Sequence, residues 1–222
     1  MGKNGKLFVS IIDQFDFAPT IWDPYFYRHN GDSQILSDFA EVARVTVNNY
    51  PYTPSPFAPI EYRDIPKGSH YLGFALRPKT DEASGKNLPS VGENQILFGT
   101  MRAYLGNVIV TPLAEWLGEV SPLHFSIKSE FAIVLPYDNL TYFWFAYMRS
   151  RHFLDNLPVG SGGTRPRLQP EALRRTPVRV PPLHIRREIH EELEYLARKE
   201  WEIYSRTLST LKLVNLLLEE KR

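Results

Sequence analysis

The sequence predicts an α+β protein: one globular domain with a small mixed or antiparallel sheet, followed by a long C-terminal α-helix suited to coiled-coil dimerisation. Between residues 60 and 136, short apolar runs bounded by Gly, Pro, Asn or Asp recur, which is typical of strands. After Pro182 neither Gly nor Pro interrupts the chain, and apolar residues recur at helical spacing. We therefore expect a domain at 1–182 and a helix at 183–222.

The individual elements follow from local patterns along the chain. Asp32 and Ser33 are capping residues that predict a helix at 34–43, and four prolines at 50–59 predict an extended connector. A polar loop at 77–93 is long enough to suggest a functional or a disordered segment. Strands are predicted at 70–76, 95–99, 107–110, 130–135 and 178–180, and helices at 142–157 and 171–174.

Composition and motifs argue against catalysis by this chain. The absence of cysteine excludes disulfides, cysteine-ligated metals and a cysteine nucleophile. The histidines show no His-x-x-x-His pair, so we expect no metal site. Residues 160–164 are glycine-rich but lack the Gly-Lys-Ser/Thr ending of a phosphate loop. With neither an export signal nor a membrane-length apolar run, a cytoplasmic protein without membrane association is expected.

Arginines are concentrated in one stretch of a chain whose formal net charge is +1. Residues 1–164 carry 13 Lys or Arg against 16 Asp or Glu, whereas residues 165–187 carry seven arginines against one acid, Glu171. Such a cluster favours a surface that faces a polyanion. Pairing of these arginines with acids elsewhere in the fold is an equal alternative.

The predicted C-terminal helix carries an apolar stripe that is expected to be buried against another surface. About 35 residues at ~1.5 Å each would span roughly 50 Å, which outgrows the domain. Glu200 and Asn215 interrupt the stripe, and polar residues there can fix the register of paired helices. A helix folded back on its own domain is the alternative. The predicted dimer interface is Ile189, Leu193, Leu196, Tyr204, Leu208, Leu211 and Leu218.

Three ordered segments resemble the target recognition domains of type I restriction-modification specificity subunits. Residues 96–107 are similar to the family's strand-and-turn segment with its Arg and Tyr-Leu-Gly. Residues 160–173 resemble its glycine-containing loop and short helix, and residues 176–189 resemble its Pro-Pro entry into a long helix. Residues 22–26 resemble an opening found in some members. The resemblance covers roughly 34–222.

The chain departs from this family in two respects. Ile185, Arg186 and Arg187 stand where the family usually has a Gln. The usual chain also holds two recognition domains and two long helices, whereas this sequence has one of each, as in a half-subunit. The resemblance implies sequence-specific binding of double-stranded DNA by a homodimer that reads a bipartite site. It also implies no cofactor here, because S-adenosylmethionine and ATP belong to separate methyltransferase and restriction subunits.

Other functions remain open from the sequence. The runner-up is the recognition domain of a single-chain restriction–methylation enzyme or of another phage-defence methyltransferase. A helical adaptor that does not bind DNA and a hydrolase or nuclease with an unrecognised site are further alternatives.

Nine residues are candidates for DNA contact. Arg102 follows a predicted strand, and Arg165 and Arg167 follow glycines, where a backbone can approach DNA closely. Asn and Arg are the residue types that read adenine and guanine with paired hydrogen bonds. A structural arginine paired with an acid, or a packing ring for Tyr104, is the alternative. The set is Arg77, Lys79, Lys86, Asn87, Arg102, Tyr104, Thr164, Arg165 and Arg167.

Overall fold

The computed structural model describes residues 34–45, 57–66, 72–77, 89–118, 125–128 and 130–219, with side chains up to 214 in the last helix. Its strands are β1 (Ala40–Arg44), β2 (Ser90–Val91), β3 (Ile96–Gly99), β4 (Val108–Val110), β5 (Phe125–Ser126) and β6 (Phe131–Pro136). Its α-helices are α1 (Ala114–Leu117), α2 (Thr141–Arg149), α3 (Arg151–Leu154), α4 (Pro170–Arg174) and α5 (Leu183–Glu219). Short 3-10 turns lie at Leu36–Asp38, Tyr62–Asp64 and Ala103–Leu105.

Four strands form an antiparallel sheet in the order β1-β6-β3-β4. Strand β6 lies centrally, where Val134 faces Val42 of β1 on one side and Ile96 of β3 on the other. Strands β2 and β5 form a separate two-stranded ribbon. All four residues of β3 are buried, and this explains its unbroken apolar sequence. The predicted α+β class with a small antiparallel sheet and a long terminal helix is confirmed.

The helix predicted at 34–43 is wrong. Only a 3-10 turn forms there, in which the Asp38 carboxylate accepts the backbone N–H of Ile35 at 2.8 Å. The chain then enters β1, where Ala40 and Val42 are buried while Glu41 is exposed. That alternation has the period of a strand, and over five residues it overlaps the spacing of a helix.

Two other predicted strands do not join a sheet. Residues 72–77 adopt no regular secondary structure, and no described strand pairs with them. Residues 178–180 form one backbone-to-backbone hydrogen bond, from the Val178 N–H to the Gln34 carbonyl at 2.8 Å. The strands predicted at 95–99, 107–110 and 130–135 are confirmed as β3, β4 and β6, and the helix at 171–174 is confirmed as α4.

Helix α2 forms the centre of the core, between β4 and the long helix α5. Its aromatic run is buried because it has neighbours on both sides, including the fully buried Tyr142 and Trp144. The predicted helix at 142–157 continues as α3 after a break at Ser150, whose hydroxyl accepts the Phe153 N–H at 3.2 Å. Each fully buried side chain of this size contributes about 1.5–3 kcal/mol to stability.

The first half of α5 is docked on its own domain. Its Trp201 is buried and packs edge-on against Phe74, with ring centroids 5.1 Å apart. The Glu200 carboxylate accepts the backbone N–H groups of Leu72 and Gly73 at 3.2 and 3.1 Å. We call residues 72–77, held in this way, the strap. The fold-back alternative for the helix is therefore correct for this half.

A second side chain of α5 also binds the strap. The Tyr204 hydroxyl accepts the backbone N–H of Leu76 and donates to the Leu76 carbonyl, both at 3.0 Å. These bonds take the place of a neighbouring strand, because they satisfy backbone groups that a ladder would otherwise pair. The strap is thus held on α5 without belonging to a sheet.

Strand β1 forms one edge of the main sheet, and an arginine covers it. Nε and Nη2 of Arg174, from α4, donate to the Val42 carbonyl at 2.9 and 2.7 Å. Its Nη1 also donates to Glu171 at 3.1 Å. Arg174 thus joins α4 to the edge strand.

Within the described ranges, no helix is both long and apolar enough to cross a bilayer. The same residues contain no group of three or more His, Asp or Glu side chains arranged to hold a metal ion.

Candidate nucleic-acid interface

The two motif segments at 96–107 and 160–173 lie side by side in the structure. The Arg102 N–H donates to the Pro166 carbonyl at 2.8 Å, and the Leu168 N–H donates to the Thr100 carbonyl at 2.9 Å. A guanidinium nitrogen of Arg102 also reaches the Thr164 carbonyl at 3.3 Å. The predicted site residues Arg102, Thr164, Arg165 and Arg167 are thereby brought together.

The Tyr62 side chain forms hydrogen bonds with the backbone next to this junction. Its hydroxyl accepts the Met101 N–H at 3.0 Å and donates to the Glu130 carbonyl at 2.7 Å. Burial raises the pKa of the Tyr62 hydroxyl, which therefore remains a neutral donor at physiological pH. Gly99 is required beside it, because a Cβ there would stand 2.8 Å from the Asn107 carbonyl oxygen.

The loop at 161–167 is closed by its own backbone. Ser161 and Arg167 exchange N–H to carbonyl bonds of 3.0 and 2.8 Å. Gly162 has a φ of 107°, a conformation that side-chain-bearing residues rarely adopt. Gly160 packs so closely on Arg167 that a Cβ would lie 3.0 Å from its backbone. The glycines therefore build a tight loop that presents Thr164 and Arg165 to solvent.

A cleft of about 780 Å³ opens beside this junction. Among the described residues, four arginines line it, and neither Asp nor Glu does. They come from four separate parts of the chain: Arg63, Arg102, Arg149 and Arg165. We call this the arginine cleft. It is a surface of concentrated positive charge with the size of a small binding groove.

The arginines of the cleft are held in different ways. Arg63 pairs with Glu61 at 3.0 Å, and Arg149 lies over the Phe145 ring at 4.9 Å. Burial lowers the pKa of the Arg149 guanidinium, and the nearby charge of Glu200 opposes that change. A guanidinium nevertheless stays protonated at neutral pH, so Arg149 keeps its charge.

Arg102 has an unusual backbone. Its φ and ψ are 51° and 49°, in the left-handed region, which costs a non-glycine residue roughly 1–2 kcal/mol. Gly106 closes the same turn with a φ of 64°. Strained residues of this kind cluster at functional sites, where the surrounding structure holds them.

The other predicted contact residues are distributed differently. Arg77 donates to both carboxylate oxygens of the buried Asp64, one of them at 3.0 Å, and to the Pro59 carbonyl at 2.9 Å. The hydrogen bond to Asp64 raises the pKa of Arg77, whose guanidinium is thus engaged within the fold. Tyr104 is exposed beside the cleft. Lys79, Lys86 and Asn87 lie outside the described residues.

The arginines at 165–187 differ in whether they are bound within the fold or exposed. Arg174 covers the edge of β1, and Arg186 pairs with the Asp138 carboxylate, which also accepts Trp144 Nε1 at 3.1 Å. Arg165 and Arg167 remain exposed at the junction. The predicted pairing with acids therefore holds for Arg174 and Arg186, whereas a surface that faces a polyanion stays a prediction for Arg165 and Arg167.

Sequence reasoning missed Arg63 and Arg149 as members of the cleft. Arg149 ends the aromatic helix α2, and Arg63 lies in a 3-10 turn. Neither stands in a segment with a recognisable motif, and the fold alone brings them next to Arg102 and Arg165.

The apolar stripe of α5 is divided between two faces. Leu193 and Tyr204 pack against the domain core, whereas Ile189, Leu196 and Leu211 are exposed. Leu208 is half-buried, and the side chain of Leu218 lies outside the described part. The outer face shows a seven-residue spacing that includes Ile203, which is 66% exposed and absent from our predicted interface. We call this row the helix ridge: Ile189, Leu196, Ile203 and Thr210.

Comparison with known proteins gives matches among solved structures alone. No protein-family model matches the sequence, and no curated protein matches it significantly. The HsdS subunit from Thermoanaerobacter tengcongensis aligns with a TM-score of 0.49 and 18% identity, over 85% of this chain and 47% of that one.

A second structure is described as the structural basis underlying complex assembly and conformational transition of the type I R-M system. It aligns with a TM-score of 0.47 and 17% identity, over 87% of this chain and 46% of that one. The chain thus spans about half the length of the structures it matches. HsdS proteins are specificity subunits of type I systems, the family that the sequence motifs resemble.

Proposed function

We propose that this chain is a DNA-recognition module of a type I-like restriction-modification system and that it has no catalytic activity of its own. The observation that carries the proposal is the arginine cleft. It forms where the two segments with family-like motifs meet, and the part of its lining that the structure describes contains four arginines and no acid.

The chemistry of the cleft suits a nucleic-acid backbone. Guanidinium groups match phosphate oxygens with two parallel hydrogen bonds and hold their charge at every physiological pH. Arg102 and Arg165 reach the cleft from opposite sides of the junction and would contact phosphates or guanine edges. Arg167 adjoins Met101 in the same backbone pairing and extends the positive surface.

The partners follow from this role. A recognition module directs enzymes that it does not contain, so methylation would come from a methyltransferase subunit and cleavage, where present, from a restriction subunit. S-adenosylmethionine and ATP would bind those subunits. The recognition domain would comprise 1–182 and the spacer helix 183–222.

We further propose that the helix ridge pairs with the same ridge of a second copy. Three of its side chains, Ile189, Leu196 and Ile203, are apolar and recur every seven residues on the exposed side of the helix, which is the repeat of one heptad position in a coiled coil. A helix of 37 residues spans about 55 Å. An antiparallel pair would place two recognition domains at opposite ends and would read a bipartite, palindromic site.

Salt-dependent binding to duplex DNA tests the function. The double change Arg102→Ala and Arg165→Ala is expected to weaken binding and to lower the slope of log affinity against log salt by about 0.9 for each lost phosphate contact. The matched control is Arg198→Ala, which lines a different groove with Trp116 and Glu194. Circular dichroism checks that both variants fold.

Two results would contradict the proposal. One is the absence of salt-dependent DNA binding by the wild-type chain, which would favour a helical adaptor. The other is an equal loss of affinity in the Arg198→Ala control and in the double variant, because that result would show binding to be general charge attraction.

A further inference from the structure

The turn between β3 and β4 exposes two large apolar side chains. Tyr104 is 58% exposed and Leu105 is 57% exposed, and they are neighbours in the 3-10 turn Ala103–Leu105. Leu105 lines the arginine cleft itself. Exposed apolar residues are ordinary when scattered singly, but an adjacent pair at the edge of a charged site indicates a contact with a partner.

This turn is fixed at both ends. The Leu105 N–H donates to the Arg102 carbonyl at 2.9 Å, and the Gly106 N–H donates to the Ala103 carbonyl at 3.0 Å. Gly106 also packs on α3, where an added Cβ would lie 3.1 Å from a methyl of Leu154. The apolar pair is therefore presented by a rigid element, and its position has been determined before any partner arrives.

The surroundings of the pair define the chemistry of that partner. Leu105 shares the cleft with Arg102 and Arg149, so an apolar contact is flanked by positive charge. A complementary partner must be apolar at its centre and anionic at its edges. Duplex DNA has this pattern at an opened base step, where the faces of two bases lie between phosphates.

We propose that Tyr104 and Leu105 form a wedge that enters an opened base step while the arginines of the cleft hold the flanking phosphates. This proposal rests on the proposed DNA binding and specifies how the DNA is bound. The duplex is bent and partly unstacked at the contact. Apolar side chains that part base steps in this way kink the duplex, and a ring can stack on a base face whatever the sequence.

The wedge predicts a preference for DNA that is already opened. A duplex with a central abasic site or a mismatch has lost part of its stacking, so the wedge enters without the full unstacking cost. We expect the wild-type chain to bind such a duplex about tenfold more tightly than the matched duplex, which corresponds to about 1.4 kcal/mol. Fluorescence anisotropy with a labelled duplex of each kind measures the ratio.

Two double variants distinguish the contribution of the apolar wedge to binding from that of the arginine charges. Tyr104→Ala combined with Leu105→Ala should bind both duplexes with equal affinity while keeping the salt slope of the wild type. Arg102→Ala combined with Arg165→Ala should lose affinity for both duplexes and keep the preference between them. Tyr137→Ala is the matched control, because Tyr137 is 63% exposed and follows the far end of β6.

Each outcome decides one of the two proposals. A wild-type chain without preference for the opened duplex, or a wedge variant that keeps the preference, overturns the wedge and leaves the DNA-binding proposal standing. Failure of the wild-type chain to bind the intact duplex in a salt-dependent way overturns the proposed function itself. Equal melting temperatures of the wedge variant and the Tyr137→Ala control exclude misfolding as the cause.

Discussion

The backbone N–H of Arg102 donates to the carbonyl oxygen of Pro166 at 2.8 Å, across the boundary between two segments that are distant in the sequence. The first segment is a strand-and-turn element and the second is a glycine loop. Their contact creates the arginine cleft, since Arg102 and Arg165 approach it from the two sides of this bond. Positive charge at the cleft thus comes from arginines that folding brings together from separate parts of the chain.

Because the backbone at Arg102 is strained, we expect two substitutions of this residue to differ in stability but not in DNA affinity. Arg102→Gly and Arg102→Ala both remove the guanidinium, but glycine adopts the left-handed conformation without steric cost. We expect the glycine variant to be more stable than the alanine variant by about 1 kcal/mol, while both bind DNA equally weakly. Urea unfolding and anisotropy measure the two quantities. Equal stabilities would show that residue 102 does not hold a positive φ in solution.

The strap predicts that Glu200 contributes to stability through hydrogen bonds to the backbone. Glu200→Gln replaces one acceptor oxygen with an NH₂ group that opposes the N–H of Leu72 or Gly73. The expected cost is about 1–3 kcal/mol in the free energy of unfolding. Glu192→Gln, on the exposed face of the same helix, is the matched control and should change little. A Glu200 variant as stable as its control would contradict the docking of α5 through the strap.

The helix ridge predicts a dimer that one charge can break. Ile203→Lys is expected to convert the dimer into a monomer of 25.7 kDa, because it places an ammonium group in the apolar seam. Ser209→Lys adds the same charge on another exposed face and should leave the dimer intact. Light scattering at micromolar concentration measures the mass. A wild-type monomer, or a dimer that persists in the Ile203→Lys variant, would show that the helix ridge is not a dimer interface.

A recognition module without enzymatic machinery predicts a negative result in a defined assay. The purified chain, given magnesium, ATP and S-adenosylmethionine, should neither cleave nor methylate duplex DNA. Gel electrophoresis and methyl-transfer counting measure the two reactions. Turnover that co-purifies with the chain through successive columns would overturn the proposed role.

The sequence predicted β3, β4 and β6 correctly, but not the elements at 34–43, 70–76 and 178–180. Residues 96–99 and 131–135 are apolar throughout because both faces are covered, and such runs are easily recognised. At 34–43 the apolar residues satisfy helical and strand spacing together, so the pairing of β1 with β6 decided the outcome. Tertiary contacts override local propensity in short segments of this kind.

The candidate site was predictable only where it lies in motifs. Arg102 and Arg165 stand within recognisable motif segments, whereas Arg63 and Arg149 reach the cleft only through the fold. Similarly, the periodicity of α5 shows that the helix is apolar on one side but does not show what covers it. The division between Tyr204, which binds the strap, and Ile203, which faces outward, requires the packed structure.

The guanidinium of Arg174 on the Val42 carbonyl has a consequence for how copies of this chain meet. An uncovered edge strand is a template on which a strand of another molecule can add, and that route leads to aggregation. Two hydrogen bonds from one side chain already occupy the central carbonyl of β1. Strand addition at this edge would have to displace them. At high concentration, self-association through β1 is therefore disfavoured.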